Sequence, residues 1–269
     1  MLFTTIEGIN NMLKLKTAAL AIGLMLTAQA QATTLELALV LDGSGSINSS
    51  EYQLQLQGYK NVIASGTFYD DFIAPSIYDN VYLSAWQFSN TVIEEISWTN
   101  ITSNAVATTF GNKFNTTEMN QIQSVTNTSL AIDTAVTSLL NNMIDSDKMI
   151  IDISTDGQPC CSSSSEADAL ASADAARDQN VTINAIGVGN GINATFLTQL
   201  VGINPADTPT GFFLQASNFT EFGDTIKTKL TREIVGPQSV PEPSSIAFIG
   251  LGALGLGALR RRKLQTKAQ

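Results

Sequence analysis

The sequence predicts an α/β fold with a central, mostly parallel sheet, one antiparallel edge strand and helices on both faces. Along residues 33–236, short β-branched runs alternate with amphipathic or Ala/Ser-rich segments, the rhythm of strand-helix-strand units. Two of the runs, residues 81–88 (VYLSAWQF) and 91–98, are separated only by Ser89-Asn90. That gap is too short for a crossover, so the pair forms a hairpin and supplies the antiparallel edge. The chain has 269 residues, 43% of them hydrophobic, enough for one core of about 150–250 residues.

Each element follows from its local pattern. Residues 35–41 (LELALVL) form the first buried strand, which runs into Asp42-Gly43-Ser44-Gly45-Ser46. Residues 51–65 carry Tyr52, Leu54, Leu56, Tyr59, Val62 and Ile63 and read as a helix. After the hairpin, residues 105–114 are helical. Residues 129–143 form a stronger helix on Leu130, Ala131, Val136, Leu139, Leu140 and Met143. Residues 148–154 (KMIIDIS) are a central strand ending at Thr155-Asp156-Gly157, and a serine-rich loop leads to an alanine-rich helix at 166–178. A strand at 181–188, a short helix at 193–201, a last strand at 211–215 and a closing helix at 219–234 complete one domain.

The two ends read as addresses. Lys14 and Lys16 precede an apolar stretch at 17–28 and two A-x-A sites ending at Ala30 and Ala32, so residues 1–32 are a secretory signal peptide whose true start is expected at Met12. At the other end, within residues 237–269, Pro241-Glu242-Pro243 is followed by an apolar run at 246–259 and by Arg260, Arg261, Arg262 and Lys263. That order resembles the PEP-CTERM sorting signal of Gram-negative bacteria. The resemblance implies recognition by an exosortase, cleavage near Pro241-Glu242-Pro243, and release or attachment at the surface of an exopolysaccharide producer. Membrane contact is expected only through this sorting helix, and a plain C-terminal anchor is the alternative.

Charge narrows the chemistry. The chain has no histidine, which excludes Ser-His-Asp relays, zinc helices of the HExxH type and histidine bases. Residues 33–239 hold 22 acidic and 7 basic side chains, a net charge of −15, so the body should repel nucleic acid and attract divalent cations. Cys160 and Cys161 are adjacent, so there is neither a disulfide framework nor a CxxC knuckle. They lie near the mouth of the expected site, as a vicinal disulfide, a cross-link between chains or two loop thiols.

In open parallel sheets the ligand site lies beyond the carboxyl ends of the strands. Two strands deliver carboxylates there: Asp42, with Ser44 and Ser46 in a turn that glycines allow to tighten, and Asp156. A carboxylate and two hydroxyls facing a second carboxylate form an all-oxygen site for a hard cation, Mg²⁺ foremost, with Mn²⁺ or Ca²⁺ as alternatives. The D-x-S-x-S turn, an intervening threonine before a helix, and the Thr155-Asp156-Gly157 strand end resemble the von Willebrand factor A (vWA) domain and its metal-ion-dependent adhesion site, MIDAS. The family's spacing points to Thr126, with Thr128 as fallback. The resemblance implies a vWA/Rossmann-like fold in which Ser44, Ser46 and Thr126 touch the metal and Asp42 and Asp156 hold it largely through water. An acidic group of an extracellular protein or polysaccharide would complete the shell.

The expected function is a secreted or surface-bound binding module of the extracellular matrix that makes and breaks no bond. The competing expectations are a metal-assisted hydrolase of matrix polymers, with Asp156 or Asp152 activating water, and a structural matrix protein whose metal only stabilises loops. Glu94 and Glu95 point to opposite faces of a strand and are expected to be solvated edge charges rather than a catalytic pair. Gly187, Gly189 and Gly191 read as a turn rather than a dinucleotide loop.

Overall fold

The structure is a computed structural model and describes residues 32–160, 165–189, 192–202 and 210–236. Its strands are β1 (Thr34–Asp42), β2 (Asn80–Phe88), β3 (Val92–Asn100), β4 (Lys148–Thr155), β5 (Val181–Val188) and β6 (Phe213–Ala216). They form one sheet in the order β3-β2-β1-β4-β5-β6. Every pairing is parallel except that of β2 with β3, which puts the antiparallel hairpin at the edge as the short Ser89-Asn90 link requires. The helices are α1 (Ser49–Ile63), α2 (Asn104–Gly111), α3 (Thr128–Asn141), α4 (Glu166–Asp178), α5 (Ala194–Leu200) and α6 (Phe222–Leu230).

Side-chain alternation along β1 divides the core into two layers. Leu35, Leu37, Leu39 and Leu41 face Tyr52, Leu56 and Tyr59 of α1 and Phe222, Ile226 and Leu230 of α6. Ala38 and Val40 face Ala131, Ile132 and Leu139 of α3 and Ala169 and Ala173 of α4. All nine residues of β1 are buried, because the strand has a neighbour on each edge and a helical layer on each face. Each such leucine contributes about 1.5–3 kcal/mol. Capping boxes start two of the helices, Asn48 with Glu51 for α1 and Ser165 with Asp168 for α4.

Two elements depart from the sequence pattern. The expected closing helix at 219–234 is shorter and divided: Asn218 Oδ1 accepts from the N–H groups of Thr220 and Glu221, a turn that delays α6 to Phe222. Beyond Leu230 the chain widens into a π-helical turn, Thr231–Val235, closed by Gly236 at φ 76°. A second π-helical turn, Tyr69–Ile73, lies before β2 and was not anticipated, being too short to show a periodicity. Among the described residues no helix is long and apolar enough to cross a membrane. The signal peptide up to residue 31, Cys161, the turn residues Asn190 and Gly191, and the sorting segment from 237 onward fall outside the described residues.

Candidate metal centre

Strand order reverses at β1: the next strand, β2, lies on one side and β4 on the other, which opens a crevice beyond their carboxyl ends. Leu41 of β1 pairs with Ser154 of β4, so the residues that follow, Asp42 and Thr155, are neighbours. Thr155 Oγ1 donates to Asp42 Oδ2 at 2.6 Å, and the Ser44 N–H donates to Oδ1 at 2.8 Å. Asp42 is fully buried, and burial pushes its carboxyl up to about 6; Asp156 adds to the rise, while the bonds from Ser44 and Thr155 oppose it. The Asp156 carboxyl is also raised, chiefly by burial, with the Glu51 charge adding to it. Two carboxylates drawn out of water toward one crevice favour a cation between them.

The hydroxyls connect these carboxylates. Thr126 Oγ1 donates to Ser44 Oγ at 3.0 Å, Ser44 and Ser46 share a hydrogen bond of 3.0 Å, and Ser46 Oγ donates to Asp156 Oδ1 at 2.8 Å. Thus the five residues singled out in the sequence converge on one place. Thr126, just ahead of the α3 cap Asn127, supplies the third hydroxyl, whereas the fallback Thr128 is the first residue of the helix itself and is buried. Ser44 and Thr126 are buried and Ser46 is exposed, so the cluster opens to solvent on the Ser46 side.

Long-range bonds lock the two loops together. The Gly45 N–H donates to Ser124 O at 2.7 Å and the Gln123 N–H donates to Gly43 O at 2.9 Å. Ser89 Oγ donates to Val125 O and accepts from the Ser124 N–H, and Ser89 O accepts from the Asn127 N–H. Gln87 accepts from the Ile122 N–H and donates to Asn120 O and to Glu95 Oε1. Gly43 is needed for this close approach rather than for a left-handed turn: a Cβ there would lie 2.2 Å from Gln87 Oε1. Asn127 Oδ1 accepts from the Leu130 N–H, which fixes where α3 starts and hence where Thr126 sits.

Several sequence expectations need correction. Glu94 is exposed, but Glu95 is half-buried, with its carboxyl raised by burial and held by Gln87; it is part of the loop scaffold and not a solvated edge charge. Asp152 is fully buried and paired with Lys229 of α6. Gln87 and Ser89 were missed, and Thr155 was read only as part of the strand-end motif and not as a partner of Asp42; the available signal was a polar residue inside or just after an apolar strand, which burial forces to find a partner. Cys160 is exposed, and its N–H donates to Thr126 O at 3.1 Å, which places it beside the cluster as expected.

Among solved structures, the chain is similar to proximal thread matrix protein 1 of the mussel byssus, with a TM-score of 0.53 and 18% identity over 75% of this chain and 46% of that one. It is also similar to the manganese-loaded TRAP protein of Plasmodium vivax (TM-score 0.50, 22% identity, 73% of each chain). A von Willebrand factor type A protein of Catenulispora acidiphila matches at 0.53 with 12% identity, over 75% of this chain and 43% of that one. The chain thus spans less than half the length of the mussel protein. These likenesses establish a vWA-type fold. No curated protein sequence matches the chain. Residues 239–263 match the PEP-CTERM protein-sorting motif, which marks the protein for exosortase processing and export to the cell surface. The domain itself, residues 32–238, matches the family described as "Protein of unknown function (DUF1194)", and the chain belongs to that family.

Proposed function

We propose that this exported vWA-type domain is a binding module that captures an acidic group through a divalent cation at the ends of β1 and β4. Ser44, Ser46 and Thr126 would be the direct ligands, with Asp42 and Asp156 behind them as charge partners. The observation that carries this reading is the spacing of the hydroxyls: Thr126 to Ser44 and Ser44 to Ser46 are both 3.0 Å. Adjacent ligands of an octahedral shell with bonds of about 2.1 Å lie about 3.0 Å apart, so the distance at which these hydroxyls hydrogen-bond is also the one Mg²⁺ requires. Ca²⁺, with bonds of about 2.3–2.6 Å, calls for wider spacing. When bound, the cation supplies Lewis-acid attraction for a carboxylate or similar anion. The chain's own residues hold the hydroxyls in register and keep the Asp42 carboxylate out of bulk solvent.

Two of the similar structures hold metal, manganese in the Plasmodium vivax protein and zinc in the MIDAS motif of the mussel protein (TM-score 0.51, 19% identity, 74% and 46% coverage). They support the cation reading without specifying the metal. The partner class is an extracellular protein or polysaccharide with an acidic group, and no bond is made or broken. Mg²⁺ at about a hundred times its dissociation constant should stabilise the domain by about 2.7 kcal/mol, and Asp42→Ala should abolish that gain. Thermal unfolding with and without Mg²⁺ tests this; no shift in the native protein, with Asp42→Ala behaving identically, would overturn it.

The interlocked loops favour a second reading, in which the metal only stabilises them and binding does not depend on it. Capture of matrix polymer that persists in a chelator would select that alternative.

A further inference from the structure

The start of β1 carries a feature that the metal reading does not use. The Thr33 N–H donates to Asp79 Oδ2 at 2.8 Å, and Thr33 Oγ1 lies 3.3 Å from the same oxygen and 3.1 Å from Ile77 O. Thr33 O accepts from the N–H groups of Asp79 and Asn80 at 2.9 and 3.0 Å. One residue on, the Thr34 N–H donates to Asp147 Oδ2 at 2.8 Å. Among the described residues, Thr33 is the first held on both its nitrogen and its carbonyl, while Ala32 before it is exposed. Ala32 also closes the second of the two A-x-A sites, at Ala30-Gln31-Ala32.

We propose that the export leader is removed between Ala32 and Thr33, and that the new α-ammonium of Thr33 forms an ion pair with Asp79 which exists only in the processed protein. In the cleavage step, water adds across the Ala32–Thr33 amide. The C–N bond breaks, the water oxygen stays on Ala32 as part of its new carboxylate, and both water protons end on the Thr33 nitrogen, which becomes an ammonium. Its amide hydrogen bond to the Asp79 carboxylate then carries a charge on the donor as well as on the acceptor. Cleavage after Ala30 would instead leave Gln31 and Ala32 between the ammonium and the carboxylate. Processing thus converts the seam between β1 and the turn before β2 from an amide–carboxylate contact into an ion pair.

The test is to export the full chain from a Gram-negative host and determine the first residue by intact mass and terminal sequencing. Thr33 is expected; Gln31 or any other first residue overturns the proposal. In the processed protein, the α-amino pKa, followed by NMR or by pH-dependent acylation, should exceed its ordinary value of about 7.7–8.0 by about half a unit or more. Asp79→Asn, which keeps the acceptor and removes the charge, should return it to that range. An ordinary value in the native protein, or one unmoved by Asp79→Asn, refutes the ion pair. The result does not depend on whether the crevice binds a cation.

Discussion

Lys229→Met probes the most charged part of the core. Lys229 Nζ contacts Asp152 and lies 2.7 Å from Glu233 Oε1, and all three side chains are inaccessible to solvent. Asn184 Nδ2 donates to the same Glu233 oxygen at 2.8 Å, and burial, with the Asp152 charge adding to it, raises the Tyr59 hydroxyl of α1 well above its ordinary value. One cation thus serves two carboxylates, and burial together with the Asp152 charge pushes the Glu233 carboxyl up to about 7. A folded-state value above the ordinary one means that the protonated carboxyl favours the native state. That contribution is complete below the ordinary carboxylate range and is lost as pH rises through about 7. Without the lysine both carboxylates stand uncompensated, a loss of about 3–5 kcal/mol near pH 8. Near pH 5, closer to the ordinary carboxylate range, protonation can offset more of the missing charge, and the cost should be smaller than at pH 8, approaching the packing difference of less than about 1.5 kcal/mol. Urea unfolding of native and variant protein at the two pH values measures this. Equal losses at both would refute the charge argument.

Thr126→Ala should weaken Mg²⁺ binding at least about tenfold by calorimetry while costing only about 1 kcal/mol without metal, since it removes one hydroxyl and one hydrogen bond to Ser44. Gly43→Ala drives a Cβ into Gln87 and should cost about 1–3 kcal/mol in urea unfolding, together with a reduced response to Mg²⁺ as the 120–124 loop shifts. Asn48→Ala removes the α1 capping box and should cost about 1 kcal/mol at any metal concentration.

The alternation of β-branched runs with amphipathic segments was enough to place β1, β4, α4 and β5 to within about a residue, because each buries a face whose period the sequence repeats. The cluster was legible for a related reason. Asp42 and Asp156 follow buried strands directly, so topology alone brings them to one end of the sheet. The spacing of Thr126 came from the family resemblance. What stayed hidden depends on contacts that leave no local pattern. Gln87 reaches the 120–124 loop, Ser89 pins residues 124–127, and Lys229 meets Asp152 across the core; nothing in the sequence near any of them announces its partner. Glu95 was misjudged because pleat alternation says which face a residue points to but not whether a loop covers that face.

The body's two ends enter and leave at the same place. Thr33 and the Ile234–Gly236 segment both rest against Ser76 and Ile77, at the amino ends of the parallel strands. The cluster is at the opposite end of β1, whose nine residues span about 30 Å. The chain therefore leaves the described domain, at Gly236, from the end of the sheet opposite the cluster, so whatever is attached there does not crowd the crevice.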